Sequence, residues 1–151
     1  MELLRPARME DCQAVNRLAQ QLYDYITHWD GRSLEYDRYP AGEFREYVDS
    51  GCLYVAEFEG KVVGYLYAYE HCRIGLDDEE YLACSIQDFC VDEAYRDRGF
   101  GKRMMHEFLD YAREQGYKTV DLDVVKKNQR AFELYRQFGF EISGYSMELH
   151  L

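Results

Sequence analysis

The sequence lacks the features of a disulfide-bonded or metal-binding protein. Its five cysteines are scattered without a C-x-x-C pair, and its four histidines have no spacing that would make a set of metal ligands. An odd number of cysteines also argues against a closed disulfide framework. We therefore expect reduced thiols in a cytoplasmic protein, and no bound metal.

Long apolar runs, a basic leader and an excess of positive charge are missing as well. The first six residues do not place a basic segment before an apolar one, and nowhere do about eighteen apolar residues run together. The chain has 18 Lys and Arg against 29 Asp and Glu, a net charge of -11. Such a surface repels nucleic acids and anionic membranes but attracts small cations and basic protein segments. We expect neither secretion, membrane insertion nor nucleic-acid binding.

Length and hydrophobic periodicity predict one α/β (α+β) domain. No repeat, linker or low-complexity tract interrupts the 151 residues. The pattern predicts the element order βααβββαβαββ. The predicted strands are 2–7, 52–58, 61–70, 81–91, 119–125 and a final hairpin in 140–151 about Gly144, and the predicted helices are 11–26, 43–49, 99–115 and 128–138. We expect a mixed sheet of six to seven strands, covered on both faces by about four helices.

A cationic cluster from Arg96 to Arg103 precedes a predicted amphipathic helix. Cations at a helix N-terminus oppose the helix dipole, so their presence indicates that an anion binds among the exposed backbone amides. Gly99 and Gly101 remove side chains where a backbone must approach phosphate oxygens closely. Met104 excludes a dinucleotide fingerprint, and Arg103 excludes a P-loop. Taken alone, the segment fits a tight turn with a solvated basic face equally well.

A second motif lies on the last predicted helix. Asn128, Ala131 and Tyr135 are separated by three and four residues, so they share one helical face, which presents an amide, a methyl group and a phenol. An ordinary packed or surface tyrosine is the alternative, because the chain contains fifteen tyrosines. The presence of Asn128 and Ala131 on the same helical face favours a functional role for Tyr135.

Together the two motifs resemble the GNAT N-acetyltransferase superfamily. The family's Arg-x-x-Gly-x-Gly loop is met by residues 96–101, and its Asn-x-x-Ala-x-x-x-Tyr-x-x-x-Gly-Phe motif by residues 128–140. The opening segment 4–11 also resembles the family's first strand and helix start. The resemblance implies a single GNAT domain over residues 1–151, a sheet splayed between its fourth and fifth strands, and acetyl-CoA as acyl donor.

The resemblance also implies which residues bind acetyl-CoA. Backbone amides from about Arg98 to Lys102 would hold the pyrophosphate, and the strand 89–91 would pair with the pantetheine arm and polarise the thioester carbonyl. The implied cofactor-binding residues are Phe89, Cys90, Val91, Arg96, Arg98, Gly99, Phe100, Gly101, Lys102, Asn128 and Ala131.

Tyr135 is implied to be the general acid that protonates the departing sulfur. A phenol of pKa about 10 is a weaker acid than a thiol of pKa about 8.5, a deficit of roughly 2 kcal/mol. Asp88 is the candidate for the general base or for an anchor of the amine, and Glu70 and His71 are further candidates for the base. Gln87 stands where related small-amine acetyltransferases commonly have Glu.

The predicted activity is transfer of acetyl from acetyl-CoA to a primary amine of a small cationic molecule, by direct attack in a ternary complex. The family uses the segment 25–39 for the acceptor, and the candidate substrate-binding residues are Trp29, Glu35, Glu70 and Gln87. Two alternatives remain open: a protein N-terminal or lysine acetyltransferase, and a noncatalytic acyl-CoA-binding sensor or interaction module. Because homodimers are frequent in the family, we also expect a homodimer, with an exposed C-terminal strand pairing between chains.

Overall fold

The structure is a computed structural model that describes residues 2–28, 38–147 and 149. The strands are β1 (Leu4–Pro6), β2 (Leu53–Phe58), β3 (Lys61–Ile74), β4 (Glu80–Val91) and β5 (Thr119–Leu122), and the helices are α1 (Cys12–Thr27), α2 (Phe44–Asp49), α3 (Phe100–Glu114) and α4 (Gln129–Gln137). The sheet has the order β1-β2-β3-β4-β5. Neighbouring strands are antiparallel except β4 and β5, which are parallel.

The α/β class, the mixed sheet and the element order up to α4 are confirmed. The predicted final hairpin about Gly144 is wrong for the described residues, because 140–147 and 149 form no strand there, and the sheet has five strands rather than six or seven. Tyr145, Met147 and Leu149 are 87%, 94% and 83% exposed. Without a buried apolar face, a two-stranded hairpin has too little to offset its ordering cost.

Two hydrophobic clusters cover the two faces of the sheet. One lies under α3 and includes Leu66, Ile86 and Met104, and the other lies under α1 and α2 and includes Leu18 and Tyr65. The predicted cover on both faces is therefore present. None of the helices in the described part is long and apolar enough to cross a membrane.

The sheet opens between β4 and β5. The two strands pair from Ala83 opposite Thr119 to Ile86 opposite Leu122, whereas β4 continues to Val91. Among the described residues, 87–91 of β4 therefore have no strand partner on the β5 side. This is the splay that the resemblance implies, and it exposes the backbone edge of β4.

A β-bulge at Gln87 changes which side chains of β4 face each layer. Tyr67 pairs with Asp88 but the next residue, Ala68, pairs with Ile86, so Gln87 is the extra residue. Directly paired residues share a face of the sheet. As a result, Asp88 faces the α1 side with Tyr67, whereas Phe89 faces the α3 side with its own partner in β3.

Candidate active site

A cavity of about 720 Å³ lies at the splay. Its walls are the end of α1, residues 87–91 of β4, the loop and first turn of α3, residues 123–125 after β5, and the cavity-facing side of α4. Of the implied cofactor-binding residues, all except Arg98 line it. The splay, the basic loop and the α4 motif thus meet in one place.

The first turn of α3 faces this cavity. The amide of Arg103 donates to the carbonyl of Gly99 at 3.1 Å, so the amides of Phe100, Gly101 and Lys102 precede the first hydrogen bond of the helix. Gly99 has a φ of +83°, a left-handed conformation that favours glycine. These amides, at the positive end of the helix dipole, form a site that can hold phosphate oxygens.

The basic side chains near this turn have different roles. Arg96 donates from Nε to the carbonyl of Val91 at 3.1 Å, which ties the loop to the end of β4. The Arg98 guanidinium lies 5.1 Å from the ring centroid of Tyr95, outside the cavity lining. Lys102 does line the cavity. Arg98 is therefore the implied cofactor-binding residue that the structure leaves outside the cavity lining.

Arg130 on α4 is a basic residue of the site that the sequence analysis did not single out. It lines the cavity and donates from Nη2 to Asp97 Oδ1 at 2.6 Å, so it joins the start of α4 to the basic loop. Its position two residues after Asn128, within the α4 motif, is the sequence feature that could have identified Arg130.

The loop between β4 and α3 is held by an ion pair from α1. Arg17 Nη1 lies 2.6 Å from Asp92 Oδ2, and Asp92 Oδ1 accepts from the amide of Ala94 at 3.1 Å. Burial opposes the charged form of Asp92, but the bonds from Arg17 and Ala94 outweigh it and hold the pKa of Asp92 below its usual value. These contacts tie the loop before α3 to α1.

The three residues of the α4 motif share the cavity wall as their spacing predicted. Asn128 is the N-cap of α4, and its Oδ1 accepts from the amide of Ala131 at 3.1 Å. This leaves the Nδ2 amino group of Asn128 for a ligand. The small side chain of Ala131 keeps the space between Asn128 and Tyr135 open.

Tyr135 lies with its ring between Phe89 and Phe140, at centroid distances of 6.4 and 5.8 Å. Burial raises the pKa of Tyr135 to about 12. The phenol therefore keeps its proton throughout the neutral range. The gap to a thiol of pKa about 8.5 grows to roughly 5 kcal/mol, so Tyr135 is a weaker acid than the sequence alone predicts.

Asp88 is held on the other face of β4. Its Oδ2 accepts from Tyr39 Oη at 2.6 Å, Tyr65 Oη at 3.0 Å and Arg38 Nε at 3.4 Å. Burial and the Asp88 carboxylate raise the pKa of both phenols, so both remain donors. The sequence analysis missed Tyr39 and Tyr65, because nothing distinguishes them among fifteen tyrosines.

The remaining candidate residues are dispersed. Gln87 lines the cavity, whereas Glu70 lies outside its lining, where it accepts from Tyr117 Oη at 3.0 Å. His71 also lies outside the lining, with its Nε2 3.1 Å from Ser85 Oγ. Trp29 and Glu35 lie outside the described residues.

Cys90 contributes backbone rather than a reactive thiol to the cavity. Its side chain is buried in the cluster under α1, where the Sγ donates to the carbonyl of Leu18 at 3.5 Å. Burial raises the pKa of the Cys90 thiol to about 12. This thiol is therefore protonated at neutral pH, which does not suit an acyl-accepting nucleophile.

The family model described as the acetyltransferase (GNAT) family matches residues 14–140. The chain belongs to the GNAT acetyltransferase family. Its fold and the position of its cavity agree with this membership.

Individual GNAT relatives match different shares of the chain. Human N-acetyltransferase 8B is 36% identical over 97 residues, which are 63% of this chain and 40% of that protein. Thialysine N-epsilon-acetyltransferase from Bos taurus is 28% identical over 145 residues, 91% of this chain and 82% of that protein. The chain spans about 40% of the length of several curated relatives that it matches.

A similar solved structure is that of a mutant BH1408 protein from Bacillus halodurans. It superposes with a TM-score of 0.87, is 26% identical and is matched over 99% of both chains. The GNAT fold thus extends over nearly the whole chain.

GNAT acetyltransferases use acetyl-CoA as the acyl donor, and the residues present here fit that molecule. The open amides at the start of α3 suit its diphosphate, and the unpaired edge of β4 suits the amide groups of its pantetheine arm. Gly101 leaves the space that a Cβ would fill, beside Val91 and Leu134.

Proposed function

We propose that this chain transfers the acetyl group of acetyl-CoA to a primary amine of a small cationic molecule, by direct attack in a ternary complex. One observation carries the proposal: the open amides of α3, the unpaired edge of β4, Tyr135 and Asp88 all border the same cavity. Acetyl-CoA supplies an activated thioester, whose carbonyl carbon accepts the amine nitrogen as the thiol leaves.

On the donor side, the first-turn amides of α3 would bind the diphosphate, with Lys102 and Arg130 adding positive charge. Backbone amides of residues 89–91 would pair with pantetheine and donate to the thioester oxygen. Asn128 would donate from Nδ2 to the same arm. These contacts would fix the acetyl group at the splay, where β4 has lost its β5 neighbour.

Proton movement would use the two faces of β4. Tyr135, on the α4 side, holds a proton at neutral pH because burial raises its pKa to about 12, and it would donate that proton to the departing sulfur. Asp88, on the α1 side, would meet the incoming amine as base or anchor. Acid and amine would thus act from opposite sides of the acetyl group.

A small cationic acceptor is supported by the charge of the cavity. Its lining contains four carboxylates, Asp88, Asp97, Asp123 and Glu133, against the three cations Arg96, Lys102 and Arg130, and the chain carries a net charge of -11. The name of the Bos taurus relative places its acetylation on Nε of thialysine. Carboxylates that border a cavity attract a cation more strongly than carboxylates on an open surface.

Release of CoA from acetyl-CoA, measured with a panel of amines, tests this proposal. We expect 1,4-diaminobutane, which carries a second ammonium group, to have a kcat/KM about tenfold or more above that of pentylamine, because one added ion pair is worth about 1.4 kcal/mol. Peptides with a free N-terminus or a lysine complete the panel.

The other outcomes discriminate between the alternatives. Faster turnover with peptides would favour a protein acetyltransferase. CoA binding without turnover on any amine would favour a sensor. Failure to bind CoA would contradict both an acetyltransferase and an acyl-CoA-binding sensor.

We also propose that the chain forms a homodimer through its C-terminal segment. Tyr145, Met147 and Leu149 alternate along this segment and are exposed, and a second copy of the chain would cover them. Light scattering should give twice the monomer mass of 18.0 kDa, and the Tyr145→Ser/Met147→Ser variant should give the monomer mass. A native chain that is monomeric at micromolar concentration would contradict the proposal.

A further inference from the structure

We infer that Tyr39 and Tyr65 are positioning residues, which hold Asp88 so that one carboxylate oxygen is presented to the ammonium group of the acceptor. The inference rests on the proposed function and specifies its acceptor site. It also decides between the two roles considered for Asp88, in favour of the anchor, so that the proton of the attacking amine leaves to water.

The hydrogen bonds to Asp88 are unequally divided between its two oxygens. Tyr39, Tyr65 and Arg38 all donate to Oδ2. In the described part of the chain, no hydrogen bond reaches Oδ1, and Oδ1 is not among the buried polar atoms left without a partner. Because Asp88 lines the cavity, Oδ1 is the oxygen that a ligand can reach.

The two phenols are themselves held rigidly. Tyr39 and Tyr65 are both fully buried, with ring centroids 5.8 Å apart in an edge-to-face arrangement. The backbone of Tyr39 is fixed to α1 by Asn16, whose Oδ1 accepts from the Tyr39 amide at 3.0 Å and whose Nδ2 donates to its carbonyl at 2.6 Å. A rotation of the Asp88 carboxylate would break bonds to donors that cannot follow it.

The bulge at Gln87 brings Asp88 to these donors. Tyr65 pairs with Cys90 and Tyr67 with Asp88, so the four residues share the α1 face. If Gln87 paired regularly with Tyr67 instead of bulging, Asp88 would pair with Leu66 and point to the opposite layer. The bulge therefore joins the carboxylate to the phenols at the point where β4 separates from β5.

The geometry favours an anchor over a base. Oδ2 already has three donors, and one of them, Arg38, is a cation whose Nε lies 3.4 Å from Oδ2. An ammonium group at Oδ1 would place the Asp88 carboxylate between two cations. Each of its oxygens would then accept a charge-assisted hydrogen bond. Loss of either phenol would free the carboxylate to rotate and so weaken binding of the cationic acceptor.

Steady-state kinetics of Tyr39→Phe and Tyr65→Phe test the inference with 1,4-diaminobutane and acetyl-CoA. Each change removes one hydroxyl and keeps the ring. We expect the KM for the diamine to rise about tenfold, because a hydrogen bond to a charged group is lost, while kcat and the KM for acetyl-CoA stay within about twofold. The neutral-tailed pentylamine should show a smaller rise.

Tyr47→Phe is the matched control. The Tyr47 ring packs on Tyr39 at 4.8 Å, within the same aromatic group, yet its hydroxyl makes no hydrogen bond to Asp88 in the part of the chain that is described. We expect native kinetics from this variant. Asp88→Asn should raise the KM for the diamine at least as much, and adding Tyr65→Phe to it should have little further effect, because the two residues act as a unit.

The possible results separate this inference from the proposed function. If the native chain turns over small amines and both tyrosine variants keep the native KM for the diamine, the inference is overturned and the proposed function stands. A fall in kcat with an unchanged KM for the diamine would make Asp88 a base, and an equal loss with both substrates would indicate a merely structural role; either result overturns the inference. No turnover by the native chain with any amine would refute the proposed function, and the inference with it.

Discussion

Replacement of Tyr135 by Phe is expected to lower kcat about 100-fold or more and to leave the affinity for CoA within about twofold. In the proposed reaction this phenol donates the proton to the departing sulfur, and burial keeps it protonated by raising its pKa to about 12. Phe preserves the packing against Phe89 and Phe140 and removes the proton. Initial rates of CoA release, together with calorimetric titration of CoA, measure the two quantities.

Tyr69→Phe provides the control for this prediction, because Tyr69 is 39% exposed and does not line the cavity. Its rate should be native. Retention of more than about half of the native kcat by Tyr135→Phe would contradict the proposal that Tyr135 is the general acid. An alkaline loss of activity with a midpoint near pH 9 that depends on Tyr135 would also contradict a phenol whose pKa is about 12.

Replacement of Gly101 by Asp is expected to weaken CoA binding about 100-fold or more. The new carboxylate would project from the turn whose amides meet the diphosphate. At roughly 5 Å and an effective dielectric constant of about 20, two like charges repel by roughly 3 kcal/mol. Calorimetric titration of CoA measures the loss.

Two further variants separate charge from bulk and from misfolding. A Cβ at position 101 would lie 3.6 Å from Val91, 3.8 Å from Phe89 and 3.9 Å from Leu134, which are ordinary contacts, so the protein itself has room for it. Gly101→Ala should therefore melt at the native temperature and bind CoA with a smaller loss. Gly101→Asn, which matches Asp in size, should fall between them. Native affinity in Gly101→Asp would place the diphosphate elsewhere.

The parts of the site that depend on local spacing could be predicted from the sequence. The α3 turn is marked by cations and glycines within eight residues, and the three residues of the α4 motif share a helical face by their offsets. Both features bordered one cavity in the structure. Their geometry depends on helix periodicity and helix ends, which neighbouring residues determine.

The acceptor side depends on contacts between distant parts of the chain. Tyr39 reaches Asp88 across 49 positions, and no local pattern marks that contact. The bulge at Gln87 could not be predicted from the sequence either, because the residue pattern of β4 is that of a continuous strand. The hairpin expected about Gly144 failed for a related reason: turn chemistry was present, but the buried surface that stabilises a hairpin must come from elsewhere in the fold.

The single additional residue at Gln87 determines which side chains of β4 face each layer of the protein. If Gln87 paired regularly with Tyr67 instead of bulging, Asp88 would pair with Leu66 and would exchange faces with Phe89. The amine and the departing thiol would then no longer be met from opposite faces of β4. In the proposed reaction, the register of this short stretch of backbone therefore places the amine and the departing thiol on opposite faces of β4.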